Sequence, residues 1–154
     1  MMDELTIRIM QLAARGYCCS QILALLALDA QGRRNPDLVR AMSGLCLGVG
    51  NSGGTCGVLS GAACLLALYA GKGFDEETAE ERLPLMFTEL TDWFARTVGE
   101  TYGGIQCADI VGEGERQPQA GRCGSILMDT YRQVLDILTE NGFDPARGRD
   151  EEDG

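Results

Sequence analysis

The chain has 154 residues, seven cysteines, no histidine and a formal net charge of −10. That length suits one domain with its own core. The lack of histidine excludes a Ser-His-Asp or Cys-His catalytic pair, histidine-ligated zinc and c-type haem attachment, and the acidic balance argues against nucleic acid or anionic lipid as a partner.

The chain opens Met1-Met2-Asp3-Glu4, without the basic start and apolar run of a secretory signal. Leu5, Ile9 and Leu12 recur at helical spacing and predict a helix from Glu4 to Ala14, stopped by Gly16. After Tyr17-Cys18-Cys19-Ser20-Gln21 comes a helix from about Ser20 to Ala30. It is apolar nearly all round, as a buried central helix is. Asn35-Pro36 predicts a capped start for a third helix, ending near Met42 or Ser43. A glycine-rich stretch from Gly44 to Gly54 follows. Thr55 is the expected cap of a helix that begins at Cys56 and stops near Gly71.

Asp75-Glu76-Glu77 suits a helix N-terminus, and the helix is expected to run to about Val98 with a kink or break near Pro84. Its apolar stripe is Phe87, Leu90, Trp93, Phe94 and Val98. A turn from Gly99 to Gly104 leads to a short helix around Cys107 to Val111. The polar segment from Gly112 to Gly121 reads as a loop. The last helix, from Cys123 or Ser125 to about Asn141, buries Ile126, Leu127, Tyr131, Val134, Leu135 and Leu138. No run alternates with period two. The expected fold is therefore all-α: a single-domain bundle of about five to six helices, with a glycine-rich loop before the central cysteine-bearing helix. Residues 1–142 form the domain, and 143–154 a short acidic tail expected to be disordered.

The longest apolar stretches, Ile22 to Leu28 and Val58 to Ala70, are too short or too interrupted by Gly and Ser to span a bilayer, so membrane insertion is not expected. The expected location is the cytoplasm. There, cysteines are more often ligands or catalytic thiols than structural disulfides.

Cys19, Cys56 and Cys123 sit at or just before expected helix starts, and Cys107 heads the short helix. A helix N-terminus favours a thiolate and lowers its pKa. Glycines precede Cys56 and Cys107 and flank Cys123, so backbone N–H groups can approach the sulfurs. Cys46 and Cys64 lie in apolar context and read as small buried hydrophobes. Cys18 is left unassigned. No Cys-x-x-Cys pair exists, so any four-sulfur site must be assembled by the fold from distant segments. Gly48-x-Gly50-x-x-Gly53 matches a dinucleotide fingerprint by letter only, since no strand precedes it.

Taken together, Cys19-Ser20-Gln21, Cys56-Gly57-Val58-Leu59-Ser60-Gly61, Cys107-Ala108-Asp109-Ile110-Val111-Gly112 and Cys123 resemble the four-cysteine pattern of the C_GCAxxG_C_C family, named redox-active for its cysteines. The similarity runs roughly from Leu5 to Leu138. It departs from the family at Val58, where the family has Ala, and in the doublet Cys18-Cys19. The resemblance implies a helical fold with converging thiols at Cys19, Cys56, Cys107 and Cys123.

The first expectation is an iron–sulfur cluster on these four cysteines, 2Fe–2S in form, for electron transfer or redox sensing. The alternatives are a thiol/disulfide oxidoreductase using the same thiols, a structural four-thiolate zinc site, and a binding subunit of a larger redox complex whose acidic surface docks a basic partner. A redox partner protein is expected in each redox reading, self-association is left open, and no enzymatic reaction is assigned.

Overall fold

Helix α1 (Glu4–Ala14) is capped by Asp3, whose side chain accepts a hydrogen bond from the Thr6 amide. It buries Ile9 and Leu12 and ends where Gly16 turns the chain with φ 95°. The coordinates are a computed structural model that describes residues 3–111 and 120–149. Helix α2 (Cys19–Gln31) buries Ile22, Leu23, Ala24, Leu26, Ala27 and Leu28, which occupy most of its circumference. That pattern makes it central, as its sequence predicts. Helix α3 (Pro36–Met42) has Asn35 as its cap, accepting from the Leu38 amide, and runs into a 3₁₀ turn over Ser43–Leu45.

Helix α4 (Gly57–Ala70) is the second central element and packs against α2, α5 and the last helix. Its N-cap is Cys56 rather than Thr55. Thr55 instead forms an isolated antiparallel bridge with Gln106, and no strand occurs among the described residues.

Helix α5 (Leu83–Phe94) begins eight residues later than Asp75, correcting the expected start. Proline lacks an amide proton and fits only a first turn, and Pro84 sits in that turn. The acids upstream have another use: Glu77 and Glu80 both pair with Arg149. The helix also continues past Val98, through a π-helical turn over Ala95–Gly99 and a last α-helical turn over Glu100–Tyr102, to Gly103 at φ 82°. Its buried stripe is Leu83, Met86, Leu90, Phe94 and Val98, with Phe87 and Trp93 half-buried beside it.

Helix α6 (Cys107–Val111) matches its expected bounds. Of the segment expected to loop, residues 112–119 lie outside the described residues, and α7 (Ala120–Glu140) starts before Cys123. Its buried side is Ile126, Leu127, Tyr131, Val134, Ile137 and Leu138. Residues 143–149 of the expected tail run back over the bundle. Phe143 packs on the core, the Tyr69 hydroxyl donates to the Pro145 carbonyl at 2.8 Å, and Arg149 reaches Glu77 at 2.7 Å. Residues 150–154 lie outside the described residues. No described helix is long and apolar enough to cross a membrane.

Candidate functional site

The site is built from four segments that carry one motif cysteine each. Cys19 is the first residue of α2, Cys56 caps α4, Cys107 is the first residue of α6, and Cys123 lies in the first turn of α7. All four line one narrow pocket of about 30 Å³, with Cys18, Leu47, Val58 and Ile110 among its other walls. Among the described residues, no acidic side chain lines it.

Local backbone geometry explains how distant residues meet. Residues Leu47, Gly48, Val49, Gly50 and Asn51 all have φ between 51° and 78°, a full left-handed turn. Such a turn costs each non-glycine residue about 1–2 kcal/mol, so it must be held by its surroundings. The Gly54 amide donates to the Gly48 carbonyl at 3.0 Å, and a Cβ on Gly48 would collide with the backbone of Gly53 and Gly54. The turn delivers Gly53-Gly54-Thr55 to the segment before α6. There the Cys56 amide donates to the Ile105 carbonyl at 2.9 Å and the Cys107 amide to the Gly54 carbonyl at 2.6 Å. Two motif cysteines are thus fixed to each other through their own backbones.

The motif glycines fix the other side. A Cβ on Gly57 would lie 2.8 Å from the Leu45 carbonyl oxygen, and one on Gly61 would lie 3.1 Å from the Cα of Ser20. Glycine at both places lets α4 press directly against the backbone of the 3₁₀ segment and of the first turn of α2. Cys19 is carried by that first turn, so Gly61 sets its distance from Cys56.

Two cysteine assignments made from local context are corrected. Cys46, expected as a buried hydrophobe, forms a disulfide with Cys18 across a Cα–Cα separation of 6.0 Å, within the usual reach of such a bond. Cys64 is exposed, because the buried side of α4 runs through Val58, Leu59, Ala62, Leu65, Leu66 and Tyr69 and leaves position 64 outside. A polar residue that sequence reasoning passed over is Ser20. It is fully buried, donates to the Met42 carbonyl at 2.7 Å, and places its hydroxyl 3.4 Å from the Cys18 sulfur and 3.6 Å from that of Cys46. Its only sequence signal is a serine directly after the cysteine doublet.

The electrostatics also reverse an expectation. Helix N-termini were expected to lower the thiol pKa values, yet three of the four thiols shift upward. Cys19 is pushed well above the ordinary thiol range, first by its hydrogen bond with Cys123, then by burial, with Cys56 and Cys107 adding repulsion. Burial drives Cys56 up to about 11. The amides of Val58 and Leu59, which face its sulfur without completing a cap hydrogen bond, oppose this only in part. Cys107 is raised by burial and by Cys123. Desolvation in an apolar pocket disfavours the thiolate more than backbone dipoles favour it.

As a metal or cluster site the pocket fits in donor type and not in arrangement. Four sulfurs face one space, which suits zinc or an iron–sulfur cluster. Among the described residues, however, no three cysteine or acidic side chains are grouped so as to hold a metal ion. What the arrangement provides directly is four thiols lining one apolar pocket.

The family model described as "Putative redox-active protein (C_GCAxxG_C_C)" matches residues 17–137, well over half of the chain. No curated protein and no solved structure matches it. The match spans all four pocket cysteines and both glycines of the central motif, and the chain belongs to the C_GCAxxG_C_C family.

Proposed function

We propose that the pocket is a thiol/disulfide redox centre in which Cys19 and Cys123 cycle between dithiol and disulfide. One observation supports this above the others: Cys19 and Cys123 line the same pocket, and Cys123 is the largest single influence on the Cys19 thiol. Closing the bond releases two protons and two electrons to an oxidised partner, and reduction reverses it. Cys56 and Cys107 stand beside the pair as further thiols of the same pocket. The partner is a redox protein, and the charge of −10 favours a basic docking face on it.

Ligation of an iron–sulfur cluster by Cys19, Cys56, Cys107 and Cys123 is the second reading, favoured by the presence of all four sulfurs in one otherwise apolar pocket. A cluster would supply one-electron transfer, whereas zinc on the same thiolates would supply structure alone. Either requires the sulfurs to regroup and their protons to leave.

The test is anaerobic purification with assays for iron, acid-labile sulfide and zinc, followed by thiol mapping after mild oxidation. The expected result is a colourless protein that forms a Cys19–Cys123 disulfide reversed by dithiothreitol. Stoichiometric iron and sulfide with a coloured, dithionite-bleachable spectrum would replace this reading with the cluster.

A further inference from the structure

Resting on the dithiol reading, we infer that the Cys18–Cys46 disulfide is a second redox pair that exchanges electrons with the pocket thiols within the chain. Neither Cys18 nor Cys46 is among the four cysteines that carry the resemblance to the family motif. Cys18 nevertheless lines the same pocket as Cys19, Cys56, Cys107 and Cys123. Its partner Cys46 is backed by the central motif: a Cβ on Gly57 would lie 3.8 Å from the Cys46 Cα. The Ser20 hydroxyl lies within 3.6 Å of both sulfurs of the pair and is held there by the Met42 carbonyl. This buried group can receive a hydrogen bond from either thiol once the disulfide opens.

The exchange needs no outside oxidant. Cys123 gives up its proton, and its thiolate attacks the Cys18 sulfur. A Cys123–Cys18 bond forms as the Cys18–Cys46 bond breaks, and the Cys46 thiolate takes a proton. Cys19 then loses its proton and attacks the Cys123 sulfur, closing Cys19–Cys123 and releasing the Cys18 thiolate, which is protonated in turn. Two electrons pass from the pocket dithiol to the Cys18–Cys46 pair, and two protons leave one pair and reach the other. The Cys18–Cys46 pair thus accepts two electrons as its disulfide opens and holds them as a dithiol beside the centre that exchanges electrons with a partner. Cys19, which closes the second step, is held protonated by its interaction with Cys123 and by burial, so exchange at neutral pH is slow and accelerates with pH.

The experiment uses the full chain. In Cys19→Ser/Cys46→Ser both the resolving thiol and the second half of the disulfide are gone, and stoichiometric diamide should trap a Cys18–Cys123 mixed disulfide, identified by peptide mass spectrometry after alkylation of the remaining thiols. Absence of that bond, while Cys46→Ser alone still forms Cys19–Cys123, would overturn the exchange and leave the dithiol centre standing. Neither bond forming in either variant would overturn both. Because Cys46→Ser removes a cross-link and can unfold the chain, the wild-type protein provides an independent test. Fully reduced protein given one equivalent of diamide should show Cys18–Cys46 and Cys19–Cys123 relaxing with time to one fixed ratio. Two disulfides that persist in the proportion in which they first formed would overturn the proposal.

Discussion

Gly61 of α4 faces the Cα of Ser20 so closely that a Cβ would sit 3.1 Å from it and 3.1 Å from Leu23 Cδ1. Ser20 and Leu23 are fully buried, so neither has free space to retreat into. Alanine in a helix interior is ordinarily favoured over glycine by about 1 kcal/mol, and overpacking a tight core costs about 1–3 kcal/mol. Gly61→Ala is therefore expected to lower stability by about 1 kcal/mol, measured by denaturant unfolding. It should also slow Cys19–Cys123 disulfide formation, because it pushes Cys19 away from α4. Gly57→Ala meets a backbone carbonyl at 2.8 Å and should be worse on both measures. A stabilised Gly61→Ala protein with unchanged thiol chemistry would show that this contact does not set the site.

Ser20→Ala removes the donor to the Met42 carbonyl in a place with no solvent to replace it. A lost buried hydrogen bond of this kind costs about 1–3 kcal/mol. The expected result is a destabilised protein whose Cys18–Cys46 pair re-forms more slowly after reduction, since the hydroxyl that lies beside both sulfurs is gone. Equal re-formation rates in wild type and variant would limit Ser20 to packing.

The parts of this fold legible in sequence are those whose signals are local. Asn35-Pro36 encodes a cap and a first helical residue next to each other, and α3 starts there. Gly16 and Gly32 end helices with the positive φ that glycine accepts most readily. The four motif cysteines were legible because each carries its own glycine or helix-start context. The Cys18–Cys46 bond was not, because its partners are 28 residues apart and nothing near either of them names the other. The exposure of Cys64 was hidden for a different reason. Helix α4 is apolar nearly all round, so periodicity cannot say which side faces out; only the positions of α2, α5 and α7 decide it. Likewise Asp75 to Glu77 look like a helix start, and the competitor that holds Glu77 elsewhere is Arg149, 72 residues away.

Tyr69 ties residues 143–149 to α4 through one hydrogen bond, from its hydroxyl to the Pro145 carbonyl at 2.8 Å. Tyr69 is 3% exposed, so Tyr69→Phe keeps the ring packing and removes the hydroxyl that makes this bond. The expected cost is about 1 kcal/mol, with faster amide exchange confined to residues 144–149. Exchange that rises throughout α4 instead would mean that the ring, and not the hydroxyl, carries the contact.

Alkaline pH should destabilise the reduced protein, and Cys56 is a principal cause. Its thiol is raised from 9.0 to about 11 by burial. Between those values the unfolded chain has released a proton that the folded chain still holds. The stabilisation is therefore complete below about pH 9 and lost as pH rises through about 11. The steepest slope for one such group is about 1.4 kcal/mol per pH unit. Cys19 and Cys107, raised in the same direction, and Tyr131, raised to about 12, add to the fall. Denaturant unfolding of reduced, metal-free protein across this window should show stability declining with pH. The decline should be shallower in Cys56→Ser, whose hydroxyl does not titrate there. Thiol alkylation gives the kinetic counterpart: Cys56 should react slowly near neutrality and faster with each step in pH up to about 11. If wild type and Cys56→Ser lose stability with identical slopes, the Cys56 thiol is better solvated than its place at the head of α4 implies. The amides of Val58 and Leu59 would then be offsetting its burial in full.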